Sequence, residues 1–426
     1  MSSVSLNEAA WRVLFERHKI LEHIEKNRVC YISANQIKKE REPRLMTKFD
    51  HTINLPPIFA KNGLSILPVT RGDYAIAHFD AYHSFEPIES CIKKFSMPSH
   101  IQSINSSDIS SEAIALNCAI ASGIIADFTE DIDIIPTVSG RMGSGDFKFN
   151  IKDINTAQQL SVDVKKSQIE IDAAYEGVRY LSLIEAKRDL SDDFLVRQLY
   201  YPYRVWQGRV TKPVKPIFLV YSNGIYHLYE YEFTNLNEYS SLQLVKQMNY
   251  SIEDTEITIE DIMQVVNSVK LVEEPRNVPF PQADSFKRVI NLCELLNSGE
   301  YNREKITLNY DFDTRQTSYY IAAGVYLGLI ELPSRKLQYY RLTNFGRAVL
   351  RMNYKQRQLF YCKRILSHKP FYMVLKLYFS RGEMPEKSEI VDIMKNCNLY
   401  NVGAESTYIR RASTVRGWIE WIAGLI

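Results

Sequence analysis

Three prolines within seven residues, Pro275, Pro279 and Pro281, place the first constraint on this chain. Proline has no amide donor and its ring clashes with the preceding helical turn. Neither a helix interior nor a central strand can therefore run through residues 272–282. The segment reads as a linker in a chain of 426 residues, a length that by itself predicts two or three domains. The charge balance changes sign at the same place. From Arg276 onward 23 Lys and Arg stand against 13 Asp and Glu, while the residues before it hold 29 against 37. The net charge of +2 thus conceals an acidic part and a basic part. Such asymmetry points to a nucleic-acid or membrane contact on the basic side, or to a solvated face.

Several classes are set aside early. No run approaches the ~18 apolar residues of a membrane span, and the N-terminal residues carry charges inside their apolar periodicity, unlike a secretory signal. Cys30, Cys91, Cys118, Cys293, Cys362 and Cys397 are scattered, with no C-x-x-C pair. Neither a zinc site nor a disulfide framework is indicated, and a reducing cytoplasm is the expected location. The 27 tyrosines serve cores, interfaces and base stacking alike.

Apolar periodicity predicts one amphipathic helix over residues 6–25 and an α+β region to about residue 105. Ser110, Ser111 and Glu112 introduce a capped helix over 113–121. Residues 168–173 and 179–187 alternate as strands around the turn at Glu176-Gly177. Ser191-Asp192-Asp193 is expected to cap a helix running to about Trp206, followed by strands at 217–221 and 225–233. Beyond the linker the order is three helices and then a hairpin, as in a winged helix, with a second helical unit after it. The expected organisation is an N-terminal α+β region (1–105), a mixed α/β core (106–275), a winged-helix domain (280–350) and a C-terminal helical domain (351–426).

Three Asp/Glu-x-Lys triplets occur, at Asp146, Asp163 and Glu185, and composition alone produces roughly three in a chain like this. Context singles out Glu185-Ala186-Lys187. Asp172 stands thirteen positions upstream across the turn, and Glu185 and Lys187 share one face of their strand, as Glu170 and Asp172 share one of theirs. Hydrolysis of a phosphodiester needs a hard cation held by oxygen ligands, and carboxylates on neighbouring strands suit Mg²⁺. A lysine two residues from the carboxylate can reach the same phosphate or the attacking water. The bland alternative is an edge hairpin with a solvated Glu–Lys face. Asp146, with Asp133 before it and Lys148 after it, is a rival that lacks a helix immediately following.

Asp172 and Glu185-Ala186-Lys187 together resemble the PD-(D/E)XK nuclease signature, and strand–turn–strand–helix–strand resembles the core of that fold. Ile171 stands where the family usually has proline. The wider chain is similar to bacterial type II restriction endonucleases with C-terminal winged-helix segments, through Arg41-Glu42-Pro43-Arg44-Leu45-Met46, Leu64-Ser65-Ile66-Leu67-Pro68, Ser139 to Phe149 and Arg197-Gln198-Leu199-Tyr200-Tyr201-Pro202-Tyr203. The resemblance implies a PD-(D/E)XK core, a mixed sheet flanked by helices, and Mg²⁺-dependent cleavage of double-stranded DNA at a short specific sequence. Asp172 and Glu185 would then ligate metal, with Glu112 assisting. Lys187 would orient the attacking water, and Glu170 and Gln198 would be secondary. A homodimer is the simple way to cut two strands, and a cognate DNA methyltransferase would accompany the enzyme. The competing readings are a non-enzymatic winged-helix DNA-binding regulator and a repair or structure-selective nuclease.

Candidate DNA contacts fall in three places. Ser139-Gly140-Arg141-Met142-Gly143-Ser144-Gly145 lets a backbone approach a ligand, with Arg141, Ser144 and nearby Lys148 as contacts, or is a plain turn. Arg315, Gln316 and Tyr319 open the third helix after the linker, where side chains can read base edges. Arg410, Arg411, Thr414 and Arg416 lie on the last helix, with Arg410 and Thr414 expected on one outer face suited to phosphate.

Overall fold

The computed structural model describes residues 5–87, 91–106, 108–309, 314–331 and 339–426. Its N-terminal unit is a small α+β body. The expected helix over 6–25 is two helices, Leu6–Arg17 and Ile20–Asn27, because Lys19 takes the left-handed conformation between them. They pack on a three-stranded antiparallel sheet through Trp11, Leu14, Phe59 and Ile76. This core closes at Ile76, so the boundary lies well before residue 105. Residues beyond it join the next unit: Tyr82–Ser84 pairs with Asp193–Leu195, and Ile92–Lys94 becomes an edge strand.

That next unit is built on a mixed seven-stranded sheet among the described residues. Its strands are β1 (Ile92–Lys94), β2 (Ile135–Gly143), β3 (Gln168–Glu176), β4 (Leu181–Lys187), β5 (Val214–Ser222), β6 (Ile225–Phe233) and β7 (Leu242–Ser251), in the spatial order β1-β7-β6-β5-β4-β3-β2. β4 runs parallel to β5 and β1 parallel to β7; the other neighbours are antiparallel. Both faces of the central strands are covered, which explains their near-continuous apolar runs. Helix α1 (Glu112–Ala121) packs on one face against Ile184, Ala186, Ile217 and Leu219. Helix α2 (Arg197–Gln207) covers the other, burying Leu199, Tyr200 and Tyr201 with Phe218 and Val220. The expected capping of α2 by residues 191–193 is not what forms. Asp193 spends its carboxylate on Thr52, and α2 starts only after a short strand, at Arg197.

The linker is not free. Phe280 is buried and stacks on Phe371, and Glu274 accepts from the Tyr326 hydroxyl at 2.6 Å. Beyond it lie α3 (Phe286–Asn297), α4 (Arg303–Asn309) and α5 (Thr314–Tyr326), followed by the paired segments Ile330–Glu331 and Tyr339–Leu342. The turn expected between those two segments lies outside the described residues. The final helix α6 (Glu405–Ala423) returns to α3, with Trp421 4.4 Å and Trp418 5.1 Å from the Phe286 ring. One apolar core runs through this whole C-terminal part, so no core boundary falls at residue 350.

The β3–β4 turn is held by Asp131, whose buried carboxylate accepts from the amides of Ile132, Arg179 and Tyr180 at 2.9–3.1 Å. Gly177 is required there, since a Cβ would sit 2.4 Å from Asp131 Oδ2. Burial works to raise the Asp131 pKa, but these backbone donors overcome it and hold the carboxyl below its usual range. A depressed carboxyl contributes stability above its unfolded pKa of ~3.9 and loses it as pH falls through the folded value. Asp131→Ala should therefore cost roughly 2–4 kcal/mol at pH 7. In denaturant unfolding, the gap from wild type should narrow below about pH 4.

Candidate active site

The site forms where β3 and β4 stop pairing. Their ladder runs from Leu181–Glu176 to Ile184–Ala173. On its other side β3 carries an extra residue, since Ala174 faces Val138 while Ile171 faces Gly140, two residues on. A bulge interrupts a ladder and re-aims side chains. Beyond the last pair, the Ala186 N–H donates to Asp172 Oδ2 at 2.8 Å instead of to a strand.

Glu185 and Lys187 come from the next positions of β4. Glu185 is 9% exposed, and its Oε1 accepts from the Lys187 ammonium and from Gln198 Nε2 at 2.7 Å. Gln198 reaches it from the first turn of α2, and its own Oε1 is buried with no partner. Burial pushes the Glu185 carboxyl up to about 8 against the pull of Lys187, with Asp172 and Asp50 adding to the rise. Burial alone would lower the Lys187 ammonium, but Glu185, Asp50, Asp172 and Glu112 carry it well above its ordinary value. Glu112, at the start of α1, is raised by burial, opposed by Lys187 and reinforced by Asp172 and Asp189.

Asp172, Glu185, Lys187, Gln198 and Glu112 are thus brought into one electrostatic neighbourhood. Glu170 is not among them: it is mostly exposed and pairs with Arg141 across the β2–β3 ladder at 3.2 Å. Sequence spacing missed the contribution of the N-terminal unit. Asp50 acts on both Glu185 and Lys187. His51 is 3% exposed, with Nε2 3.0 Å from Asp189 Oδ2 and Nδ1 2.5 Å from the Asp193 carbonyl. The ring thus bridges a carboxylate oxygen and a carbonyl oxygen of the segment after β4. From the opposite side, Asn291 of α3 donates to the Arg188 carbonyl at 2.7 Å and accepts from the Leu190 amide at 3.1 Å. No periodicity links residues 51, 189 and 291, and the only local sign was the acidic run after Lys187.

The candidate DNA contacts are dispersed. Ser144 is buried and bonds to the Gly145 carbonyl, and Lys148 points to Asp163 at 4.0 Å. Arg315 Nε donates to the Tyr319 hydroxyl at 2.6 Å, with half-buried Gln316 beside it. On α6, Arg410 is exposed and Arg416 pairs with Glu420 at 2.7 Å. Thr414 and Arg411 face inward, at 1% and 9% exposure. The expectation that Arg410 and Thr414 share an outer face fails because Val415, Trp418 and Ile422 define the buried stripe, and positions 411 and 414 fall on it.

Among the described residues no three His, Cys, Asp or Glu side chains sit close enough to form a ready-made metal cage. No helix there is long and apolar enough to cross a membrane. Residues 8–76, 77–251 and 288–426 match the models of three families, each described as a domain of unknown function (DUF6996, DUF6997 and DUF7226, respectively). The first match ends where the N-terminal core closes. No curated protein and no solved structure matches the chain.

His51→Ala should open the tether on the segment after β4. Amide exchange at Leu190 and Leu195 should accelerate, with a loss of about 1–3 kcal/mol in global stability. Unchanged exchange at both would mean that His51 does not hold this segment.

Proposed function

We propose that the protein is a Mg²⁺-dependent endonuclease of restriction type acting on double-stranded DNA, built on a PD-(D/E)XK core with a winged-helix region after it. The observation that carries this reading is the convergence of Lys187 and Gln198 on buried Glu185, beside Asp172 on the neighbouring strand. Burying a carboxyl group against an ammonium is weak as a stabilising device, which favours a functional reason for keeping the two together. A plain edge hairpin would leave Glu185 and Lys187 in solvent, where neither needs Gln198.

The residues fit a hard cation. Mg²⁺ retains water and is held by one or two carboxylates together with substrate oxygens, so it needs no complete protein cage. Asp172 and Glu185 would hold it, with Glu112 close enough in charge to assist. The orphaned Gln198 Oε1 offers a further acceptor to a bound water. When bound, the cation supplies charge for the phosphate and a lowered pKa for water.

The chain's own groups do the rest. Lys187 stays protonated in its carboxylate surroundings, so it holds positive charge where the pentavalent phosphate gains negative charge. Gln198 fixes the Glu185 carboxylate in one orientation. Asp172 fixes the backbone between Glu185 and Lys187. The excess of carboxylates repels a polyanion until a cation arrives, which makes metal binding a precondition for productive DNA contact. Two-strand cleavage calls for a homodimer or sequential nicking, and a companion methyltransferase would protect the host's own sites.

Lys187→Ala should abolish plasmid fragmentation, by about 100-fold or more, while duplex binding persists. Discrete fragments from the wild type with Mg²⁺ support the restriction reading. Nicking confined to branched or damaged DNA would move it to a repair nuclease, and binding without cleavage under any divalent metal to a regulator. Because Glu185 must lose its proton to ligate a cation, Mg²⁺ affinity by calorimetry should climb with pH and level off above about 8. A flat profile from pH 6 to 9 would remove Glu185 from the ligand set.

A further inference from the structure

Two arginines are buried among the described residues, and they are held very differently. Arg357, at 7% exposure, donates to Asn223 Oδ1 at 3.1 Å and to the Met352 carbonyl at 2.9 Å. Arg411, at 9% exposure on α6, has both Nε and Nη1 buried and without any hydrogen-bond partner. A guanidinium shut away without a counter-charge is among the most costly groups a fold can carry. Met would fill similar space at no such cost. The groups that bear on Arg411 are Tyr319 of α5 and its neighbour Arg410. Among the described residues no carboxylate does so. Arg410 is exposed, with Nη2 3.4 Å from Thr407 Oγ1, so it is able to swing toward a ligand over the same spot.

We propose that Arg411 of α6, where it faces Tyr319 of α5, is the buried donor of a receptor for one phosphate group, with Arg410 as its solvent-side clamp and the Tyr319 hydroxyl at its edge. A guanidinium presents paired N–H donors that match two phosphate oxygens, Nε with Nη2 along one edge and Nη1 with Nη2 along another, and the unpartnered Nε and Nη1 of Arg411 leave both edges open. The phosphate belongs either to a nucleic-acid backbone or to a free phosphate. The backbone source rests on the DNA reading above; the receptor itself does not.

The test uses the full chain and needs no cleavage. Thermal unfolding of the wild type in sodium phosphate is compared with sodium chloride at matched ionic strength, then repeated for Arg411→Met and for Arg416→Met as a surface control. Phosphate should raise the wild-type Tm above chloride. Arg411→Met should raise Tm in chloride, by removing the uncompensated charge, and should erase the phosphate increment. Arg416→Met should keep that increment. Anisotropy with a short duplex across a salt series then separates the sources. Loss of about 0.9 from the slope of log K against log salt in Arg411→Met assigns one backbone phosphate to this site. A phosphate increment with no duplex binding, or with an unchanged slope, supports the receptor with free phosphate as its source. A wild-type Tm that responds no more to phosphate than to chloride overturns the proposal, and that arm requires no variant to fold.

Discussion

The polar cluster around Glu185 depends on where one ladder of backbone hydrogen bonds ends. β3 and β4 pair only as far as Ala173 and Ile184. Up to that point their side chains are mostly apolar and packed beneath the helices, with buried Ser182 and the turn-end Glu176 as the polar members of the ladder. Past it, backbone groups need new partners and space opens at the strand ends. Asp172 meets the first need by accepting from Ala186. Glu185 and Lys187 occupy the space. Had pairing continued two residues further, Ala186 would have donated to a strand carbonyl and the Asp172 carboxylate would have lost this anchor.

Holding that end open takes supports from outside the sheet. The segment after β4 is pinned on one side by His51 of the N-terminal unit and on the other by Asn291 of α3. Further contacts tie the same helix to the sheet: Glu294 accepts from Ser222 Oγ and the Asn223 amide, each at 2.8 Å. Arg288 pairs with Asp192 at 3.0 Å. The helical part is therefore not a tethered accessory. α3 bonds directly to the residues that follow Lys187.

The parts that sequence made legible are those governed by short-range periodicity. A period of two placed Glu185 and Lys187 together, and a turn signal at Glu176-Gly177 put Asp172 beside them. Gln198 came from the family resemblance rather than from periodicity, and it lies in the first turn of a helix that starts later than its polar residues suggested. Asp50, His51 and Asn291 were invisible because their partners lie more than a hundred residues away, and nothing local distinguishes a buried bridging histidine from any other. The expectation for α6 failed for a different reason. Arginines were assigned outward by chemical type, whereas the packing of Trp418 and Ile422 decides the face and takes position 411 inward with it.

That inward turn also alters what the charge division means. A basic half and an acidic half suggest two surfaces attracting one polyanion in opposite senses. In the folded chain many basic residues of that half already have partners. Arg381 pairs with Glu389 and Arg416 with Glu420 within it, while Lys355 pairs with Asp261 of the acidic half. Exposed pairs of this kind contribute little and are easily exchanged for phosphate. What differs in kind is a charge without a partner. The acidic half has its example in the carboxylates crowded around Lys187, and the basic half in Arg411. Each is a local imbalance that folding alone does not neutralise. They are opposite in sign, and the groups that would relieve them, a divalent cation and a phosphate, are the two that a phosphodiester-cleaving protein must gather at once.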